Sequence, residues 1–180
     1  MTFSAGTLES FMADDECGYL PKPDSIEYNR FGCMHNDYDA AIKPPHKKRI
    51  LFAGDSVTHR GRLIAALRQL YGEDNYEYWN AGVESFNTRQ ELVLYRRYNS
   101  AISPDQVILT FHNNDFMLTP LVFAENGNLR ILTPTAQRET IHPWWFENST
   151  FYRYLLGRRG SQYQPQEVRQ SLADFRDLTR

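Results

Sequence analysis

One serine in this chain follows a pattern typical of a catalytic nucleophile. Ser56 ends the tripeptide Gly54-Asp55-Ser56, directly after an apolar run at residues 50–53 and directly before a helical pattern. At a strand-to-helix turn the hydroxyl is exposed, and backbone N–H groups with the helix dipole stabilise a developing oxyanion. This predicts attack of the Ser56 hydroxyl on an acyl group. A serine at a helix start is also often only an N-cap, so the tripeptide alone leaves both interpretations open.

The chain around Ser56 alternates apolar runs with helical patterns. The runs cover residues 48–53, 75–80 and 107–111, and the last is typical of a strand buried on both faces. Between them, Leu63, Ile64, Leu67 and Leu70 form one helical stripe, and a capping box at residues 88–91 predicts a second helix that runs through residue 98. Strands separated by helices predict parallel pairing, which gathers the loops after these strands at one edge.

The flanking segments predict other structures. Residues 1–47 are rich in Pro, Asp, Asn, Tyr and Gly, which predicts an irregular lead-in. Residues 116–147 predict an inserted hairpin or cap region, because apolar residues flank the favoured two-residue turn Asn126-Gly127. A short helix is predicted at residues 149–156. A last helix is predicted from Pro165, with its apolar stripe at Val168, Leu172, Phe175 and Leu178.

Three segments resemble blocks I, II and III of the SGNH (GDSL) hydrolases in order and in spacing. They are Ile50-Leu51-Phe52-Ala53-Gly54-Asp55-Ser56, Asn80-Ala81-Gly82-Val83 and Phe111-His112-Asn113-Asn114-Asp115. Residues 18–23 and 29–32 are similar to the stretch before block I in many bacterial members. The resemblance implies one α/β domain over residues 1–180, a three-layer α/β/α sandwich with a flavodoxin-like parallel sheet. With three predicted parallel strands, we expect this fold to be incomplete at its C-terminal end.

The resemblance also implies roles for residues in the three loops. In the family, the block I serine is the nucleophile, and its N–H, a block II glycine N–H and a block III asparagine side chain form the oxyanion hole. These roles fall on Ser56, Ser85 and Asn114, with Gly82 as the alternative block II donor and Asp55 in a supporting position. Ser85 stands where the family has glycine, and it keeps the N–H provided that its backbone conformation is not restricted to glycine.

The sequence leaves the general base open between several histidines. A serine hydroxyl needs a proton acceptor within hydrogen-bond reach. The family supplies one from a late Asp-Xaa-Xaa-His motif, which does not occur here. The nearest pattern is a glutamate three residues before His142, which makes His142 a candidate base. His59 and His112 are alternatives, each with a structural or supporting role as the other interpretation, and His112 replaces the block III glycine. A further interpretation places the catalytic histidine beyond Arg180.

Composition narrows the classes of partner. A formal net charge of -2 gives no basic face for nucleic acid, and no apolar stretch approaches the ~20 residues that span a bilayer. The N-terminal residues lack a secretory signal pattern, so we expect a cytoplasmic protein without membrane partners. Cys17 and Cys33 have no metal-binding spacing, which predicts reduced thiols, no metal site and no cofactor. Three parallel strands bury little surface, so self-association as a homo-oligomer is also expected.

Three functions are compatible with these patterns. The first is a serine esterase or acyl hydrolase acting on a small-molecule or carbohydrate ester through an acyl-enzyme at Ser56. The second is a carbohydrate O-acyltransferase with the same chemistry and a different acceptor. The third is a catalytically incompetent binding module, in which Trp144 and Trp145 stack on a sugar, although a hydrophobic lid or a dimer contact is the other interpretation of these residues.

Overall fold

A computed structural model of the chain describes residues 2–132, 141–156 and 165–179. The strands are β1 (Thr2–Thr7), β2 (Phe11–Asp14), β3 (Gly18–Pro21), β4 (Lys48–Gly54), β5 (Tyr76–Gly82), β6 (Gln106–Leu109), β7 (Leu121–Glu125) and β8 (Asn128–Leu132). The α-helices are α1 (Ser56–His59), α2 (Arg62–Tyr71), α3 (Thr88–Arg97), α4 (Pro143–Asn148), α5 (Thr150–Leu156) and α6 (Pro165–Leu178). Short 3₁₀ turns cover Asn99–Ile102 and Asn113–Phe116. None of the described helices is long and apolar enough to span a bilayer.

The centre of the molecule is a parallel sheet in the order β5-β4-β6, which confirms the predicted α/β class with parallel pairing. In β4, Ile50 and Phe52 point to one face and Leu51 and Ala53 to the other, and all four are buried. Successive side chains of a strand face opposite sides, so this run is apolar on both faces because the sheet is covered on both.

Helices cover both faces of this sheet. On one face, Ile64 of α2 packs against Ile50 and Phe52. On the other, α3 and α6 contribute Leu92, Tyr95 and Phe175 to a cluster with Leu51 and Ala53. The predicted last helix beginning at Pro165 is therefore confirmed, but of its predicted apolar stripe only Val168 and Phe175 are buried, whereas Leu172 and Leu178 are exposed.

Several predicted boundaries shift in the structure. Of the α2 stripe, Ile64 is buried, whereas Leu63 and Leu70 are exposed. The third strand ends at Leu109 and is half-buried, since β4 is the one strand that pairs with β6 in the described part of the chain. The prediction that it is buried on both faces is therefore wrong. The capping box starts one residue earlier than predicted, with Asn87 as the N-cap and Gln90 as its partner, because the Asn87 side chain accepts the Gln90 N–H at 3.0 Å.

The lead-in contains regular structure that its composition does not reveal. β2 and β3 form an antiparallel hairpin, and β1 pairs with β8, with Thr2 opposite Leu132. The expectation of an irregular lead-in is wrong for these strands, because β1 is held by a partner that lies far along the chain. Between β3 and β4, residues 22–47 form no helix or strand apart from a bridge between Tyr28 and Met34.

The predicted hairpin is confirmed as β7 and β8. Asn126 and Gly127 both have positive φ, 51° and 74°, as the two-residue turn that joins twisted strands requires. Helix α4 packs on this hairpin through an edge-to-face contact between Phe146 and Phe123, whose ring centroids are 6.0 Å apart. Residues 133–140, which include Glu139 of the pattern before His142, lie outside the described residues.

A buried ion pair fixes the amino-terminal end of the parallel sheet. Arg49 and Glu77 are register partners on β4 and β5, and Arg49 Nε donates to Glu77 Oε2 at 2.7 Å. The remaining Arg49 donors bind the carbonyl oxygens of Ala40 and Ile102, at 3.0 and 2.7 Å, and of Asp39 at 2.6 Å. A buried charge is tolerated only when it is fully paired, and these bonds pair the Arg49 guanidinium. They also join the lead-in and the end of the first 3₁₀ turn, at Ile102, to the sheet.

Replacing Glu77 tests how strongly the fold depends on this pair. Glu77→Ala leaves the Arg49 charge buried and unpaired, so we expect the free energy of unfolding to fall by about 3–5 kcal/mol. Glu125→Ala, which removes an exposed pair with Arg130, is the control and is expected to cost at most about 1 kcal/mol. Urea denaturation of both variants measures the difference, and equal losses would contradict the expectation.

Candidate functional site

A cavity of about 360 Å³ lies at the carboxyl-terminal edge of the parallel sheet. The loop after β4 contributes Ser56, the loop after β5 contributes Ser85, and the loop after β6 contributes His112 and Asn114. The structure thus brings together predicted residues that are separated by up to 58 positions in the sequence. Apolar side chains, among them Ile131 of β8, complete the lining.

Ser56 is the first residue of α1, and the N-cap role belongs to its neighbour. The Asp55 side chain accepts the N–H of Val57 at 2.9 Å. The interpretation of Ser56 as a helix cap is therefore wrong, because Asp55 already fills that position. The Ser56 hydroxyl is half-exposed in the cavity and has no hydrogen-bond partner among the described residues. Ser56 is thus available for chemistry, and Asp55 holds the turn that presents it.

Two glycines allow the strands and α1 to come this close. A Cβ on Gly54 would overlap the hydroxyl oxygens of Thr58 and Thr110, and one on Gly82 would overlap the backbone of His59. The Gly82 N–H is donated to Asn80 Oδ1 at 2.9 Å. Gly82 also lies outside the cavity lining. The geometry therefore does not favour Gly82 as the alternative oxyanion donor, since its N–H is already used, and Gly82 serves close packing.

Ser85 has the backbone conformation that favours glycine. Its φ is +64°, in the left-handed region. Serine therefore occupies the position of the family's glycine at a modest conformational cost. The neighbouring amides of Val83 and Phe86 bind Gly54 O and Val83 O, at 3.0 and 3.2 Å. No acceptor among the described residues takes the Ser85 N–H, which leaves it free at the cavity.

Asn114 is fixed beside Ser85 by one hydrogen bond. Its Nδ2 donates to Phe86 O at 2.8 Å, on the same loop that carries Ser85. A primary amide nitrogen carries two hydrogens, so a second donor remains. The Asn114 Oδ1 is buried and has no hydrogen-bond partner within the described part of the chain. The Phe86 bond therefore fixes the amide of a residue that lines the cavity and leaves one Nδ2 hydrogen available.

Asp115 holds the 3₁₀ turn that carries Asn114. Its Oδ1 accepts the Thr88 hydroxyl at 2.8 Å, and its Oδ2 accepts the backbone N–H of His112 at 2.5 Å. Burial raises the pKa of Asp115, while these hydrogen bonds and the charge of His112 act in the opposite direction. The carboxyl group thus ties the loop after β6 to the first turn of α3.

The three histidines that are candidates for the base of Ser56 lie in different places relative to the cavity. His142 is exposed at the start of α4 and outside the cavity lining, so the geometry does not favour it as the base of Ser56. His59 points away, with Nδ1 at 3.3 Å from Gly82 O and 3.4 Å from Tyr28 Oη. His112 is exposed and lines the cavity with Ser56. Its backbone is extended, with φ −136°, so this position does not require the glycine of the family.

One buried acid near this site was not predicted from the sequence. Glu91 of α3, which the predicted capping box assigned to the helix start, is fully buried, and neither carboxyl oxygen has a hydrogen-bond partner in the described ranges. Burial, together with the charges of Asp115 and Asp55, raises the pKa of Glu91 well above its ordinary value. The burial of an unpartnered carboxyl group therefore favours the neutral, protonated form of Glu91. One sequence signal could have indicated its burial: in α3, Glu91 is spaced to lie on the same side of the helix as the buried residues Leu92 and Tyr95.

Neither disulfide nor metal chemistry is seen at the site. Cys17 and Cys33 are free, buried thiols. Within residues 2–132, 141–156 and 165–179, no group of three or more His, Cys, Asp or Glu side chains is placed to hold a metal ion.

Comparisons of the chain with protein-family models, with curated proteins and with solved structures found no match. The function is therefore argued from the site itself.

The buried acid predicts a pH-dependent stability. Because the pKa of Glu91 is raised in the folded state, wild-type stability falls as the pH rises above the ordinary Glu pKa of about 4.3, where only the unfolded state ionises. Glu91→Met has a similar shape and no titrating group. We expect it to be more stable than wild type at pH 7, by about 1–3 kcal/mol, with a smaller difference at pH 4.5.

Urea denaturation between pH 4.5 and 7.5 measures this difference. Glu147→Met, at an exposed position of α4, is the control and should follow the wild-type pH dependence within about 0.5 kcal/mol. A wild-type advantage over Glu91→Met that grows with pH would contradict the assignment of Glu91 as a neutral acid.

Proposed function

We propose that this chain is a serine esterase of the SGNH type, in which Ser56 attacks the carbonyl carbon of an ester and forms an acyl-enzyme. One observation carries the proposal: the Ser56 hydroxyl, the unused Ser85 N–H and the Asn114 amide meet at one cavity. A nucleophile with two further donors from separate loops is the arrangement that acyl transfer requires. No simpler role accounts for all three groups.

The proposed mechanism uses the donors where negative charge develops. When Ser56 Oγ bonds to the carbonyl carbon, the carbonyl oxygen becomes an oxyanion, which accepts the N–H groups of Ser56 and Ser85 and the second Nδ2 hydrogen of Asn114. Collapse of this intermediate expels the alcohol, and water then hydrolyses the acyl-enzyme. The donors are set before the substrate binds, because Phe86 O orients Asn114 and the loop conformation orients Ser85.

The finer fold assignment belongs to the same proposal. The strand order β5-β4-β6, the parallel pairing and the helices on both faces support a three-layer α/β/α sandwich of the flavodoxin-like kind. In such sheets, ligands bind outside the carboxyl ends of the strands. The cavity lies at this edge.

The cavity lining favours an ester with both apolar and polar parts. Val57, Met117 and Leu118 provide apolar surface, and the exposed side chains of Ser85 and His112 provide polar groups for a polar acyl or alcohol group. We therefore propose a small-molecule or carbohydrate ester as the substrate.

Loss of the nucleophile gives the first test. Wild type is expected to label with a fluorophosphonate probe and to hydrolyse p-nitrophenyl acetate, and Ser56→Ala is expected to lose both, because no other group then forms the acyl-enzyme. Ser100→Ala, at an exposed serine outside the cavity, is the matched control and should retain both. An unlabelled and inactive wild type would favour a binding module. Transfer of the acetyl group to an added sugar rather than to water would favour an O-acyltransferase.

Loss of the side-chain oxyanion donor gives the second test. Asn114→Ala is expected to lower kcat for p-nitrophenyl acetate by about 10²–10³-fold, since one donor to the transition-state oxyanion disappears. The neighbouring Asn113 is exposed and outside the cavity lining, so Asn113→Ala should keep kcat within about twofold of wild type if the effect is local. Equal kcat values in the two variants would remove Asn114 from the oxyanion hole.

A further inference from the structure

A serine nucleophile needs a proton acceptor, and the positions of the histidines restrict the choice. The chain has five histidines, and all lie within the described residues. Of these, His112 alone lines the cavity that holds Ser56. The ring of His35 is directed to Ser25 O, at 2.8 Å from Nε2, and His59 contacts Gly82 O. Of the five histidines, His112 is therefore the candidate to accept the hydroxyl proton of Ser56.

The backbone of His112 is held firmly while its ring stays open to the cavity. The preceding Thr110 donates its N–H to Ala53 O at 3.0 Å, which ties this segment to the end of β4, just before the Ser56 turn. Asp115 closes the other side, since its Oδ2 accepts the His112 N–H and its own N–H binds His112 O at 3.1 Å. The side chain of His112 is exposed and lines the cavity.

The geometry points to His112 as the general base of Ser56, an inference that rests on the proposed esterase function. In this role a His112 ring nitrogen accepts the hydroxyl proton as Ser56 Oγ bonds to the carbonyl carbon. The imidazolium then returns that proton to the leaving alkoxide as the ester C–O bond breaks. In the second half, the ring accepts a proton from the attacking water and passes it to Ser56 Oγ when the acyl-enzyme is cleaved.

The loop that carries His112 is held independently of the His112 ring. Asp115 is anchored by Thr88 and by two backbone contacts to His112, so it stays in place when the ring moves. The extended backbone at His112 accepts any residue type, so the histidine is not needed for the shape of the loop.

Two variants and a chemical rescue test this role. His112→Gly and His112→Gln are expected to lower both kcat for p-nitrophenyl acetate and the rate of fluorophosphonate labelling by about 10²–10⁴-fold. Added imidazole should restore part of the His112→Gly rate and none of the Ser56→Ala rate, because it replaces a missing base but not a missing nucleophile. The limb of the pH–rate profile that reports the base should be present in wild type and absent in His112→Gln. His46→Gln, at an exposed position outside the cavity, is the control.

The outcomes separate this inference from the function on which it rests. If His112→Gln has the rates and the pH profile of wild type, the assignment of His112 as the base is overturned. If Ser56 is labelled in the same experiment, the esterase proposal stands. A slow His112→Gly variant that imidazole does not rescue, with the pH profile of wild type, would also overturn the base assignment. Absence of Ser56 labelling in wild type would overturn the esterase proposal and the base assignment together.

Discussion

The double pairing of β4 is the constraint on which the rest of this structure depends. β4 binds β5 along seven register pairs and β6 along four, in both cases in parallel. Because Gly54 lies opposite Gly82, and Ala53 opposite Leu109, the three strands end at nearly the same height. Their following loops must then leave the sheet side by side. The meeting of Ser56, Ser85 and Asn114 is a consequence of this register rather than of any direct attraction between them.

The loops stay together through backbone acceptors and small residues. Asn80 Nδ2 binds the carbonyl oxygens of Thr58 and His59, at 3.1 and 3.2 Å, and Asn87 Nδ2 binds Met117 O at 2.9 Å. The same region contains two unfavourable features, the left-handed backbone of Ser85 and the unpartnered, buried carboxyl group of Glu91. Such local losses of folding stability are common where a protein holds reactive groups in place, because the geometry that suits the reaction is not the most stable geometry.

Sequence patterns predicted the parts of the fold that depend on local or periodic signals. The apolar run of β4, the turn at Asn126-Gly127 and the helix start at Pro165 each carry their own signal, and the structure has all three. The parallel pairing of the strands followed from the alternation of strands and helices. The positions of Ser56 and Asn114 at one edge followed in turn from parallel pairing.

Other features depend on tertiary contacts that no local pattern shows. β1 is polar and glycine-containing, and it exists as a strand because β8 binds it. The burial of Glu91 could not be separated from a capping role by spacing alone, since both fit the first turn of α3. The sequence pattern that ends at His142 made that residue a candidate for the general base. Which histidine lines the cavity of Ser56 depends instead on the loop after β6, and that histidine is His112.

The pairing of β1 with β8 also has a consequence for the order of folding. Thr2 and Leu132 are register partners 130 positions apart. During synthesis, the first strand therefore leaves the ribosome long before its partner exists, while the parallel sheet needs only residues up to β6. Contacts of such high sequence separation form slowly and late, because closing a long loop costs entropy before the contact forms. We therefore expect β1 to be bound after the parallel sheet has formed, and until then its unpaired edge is open to intermolecular pairing.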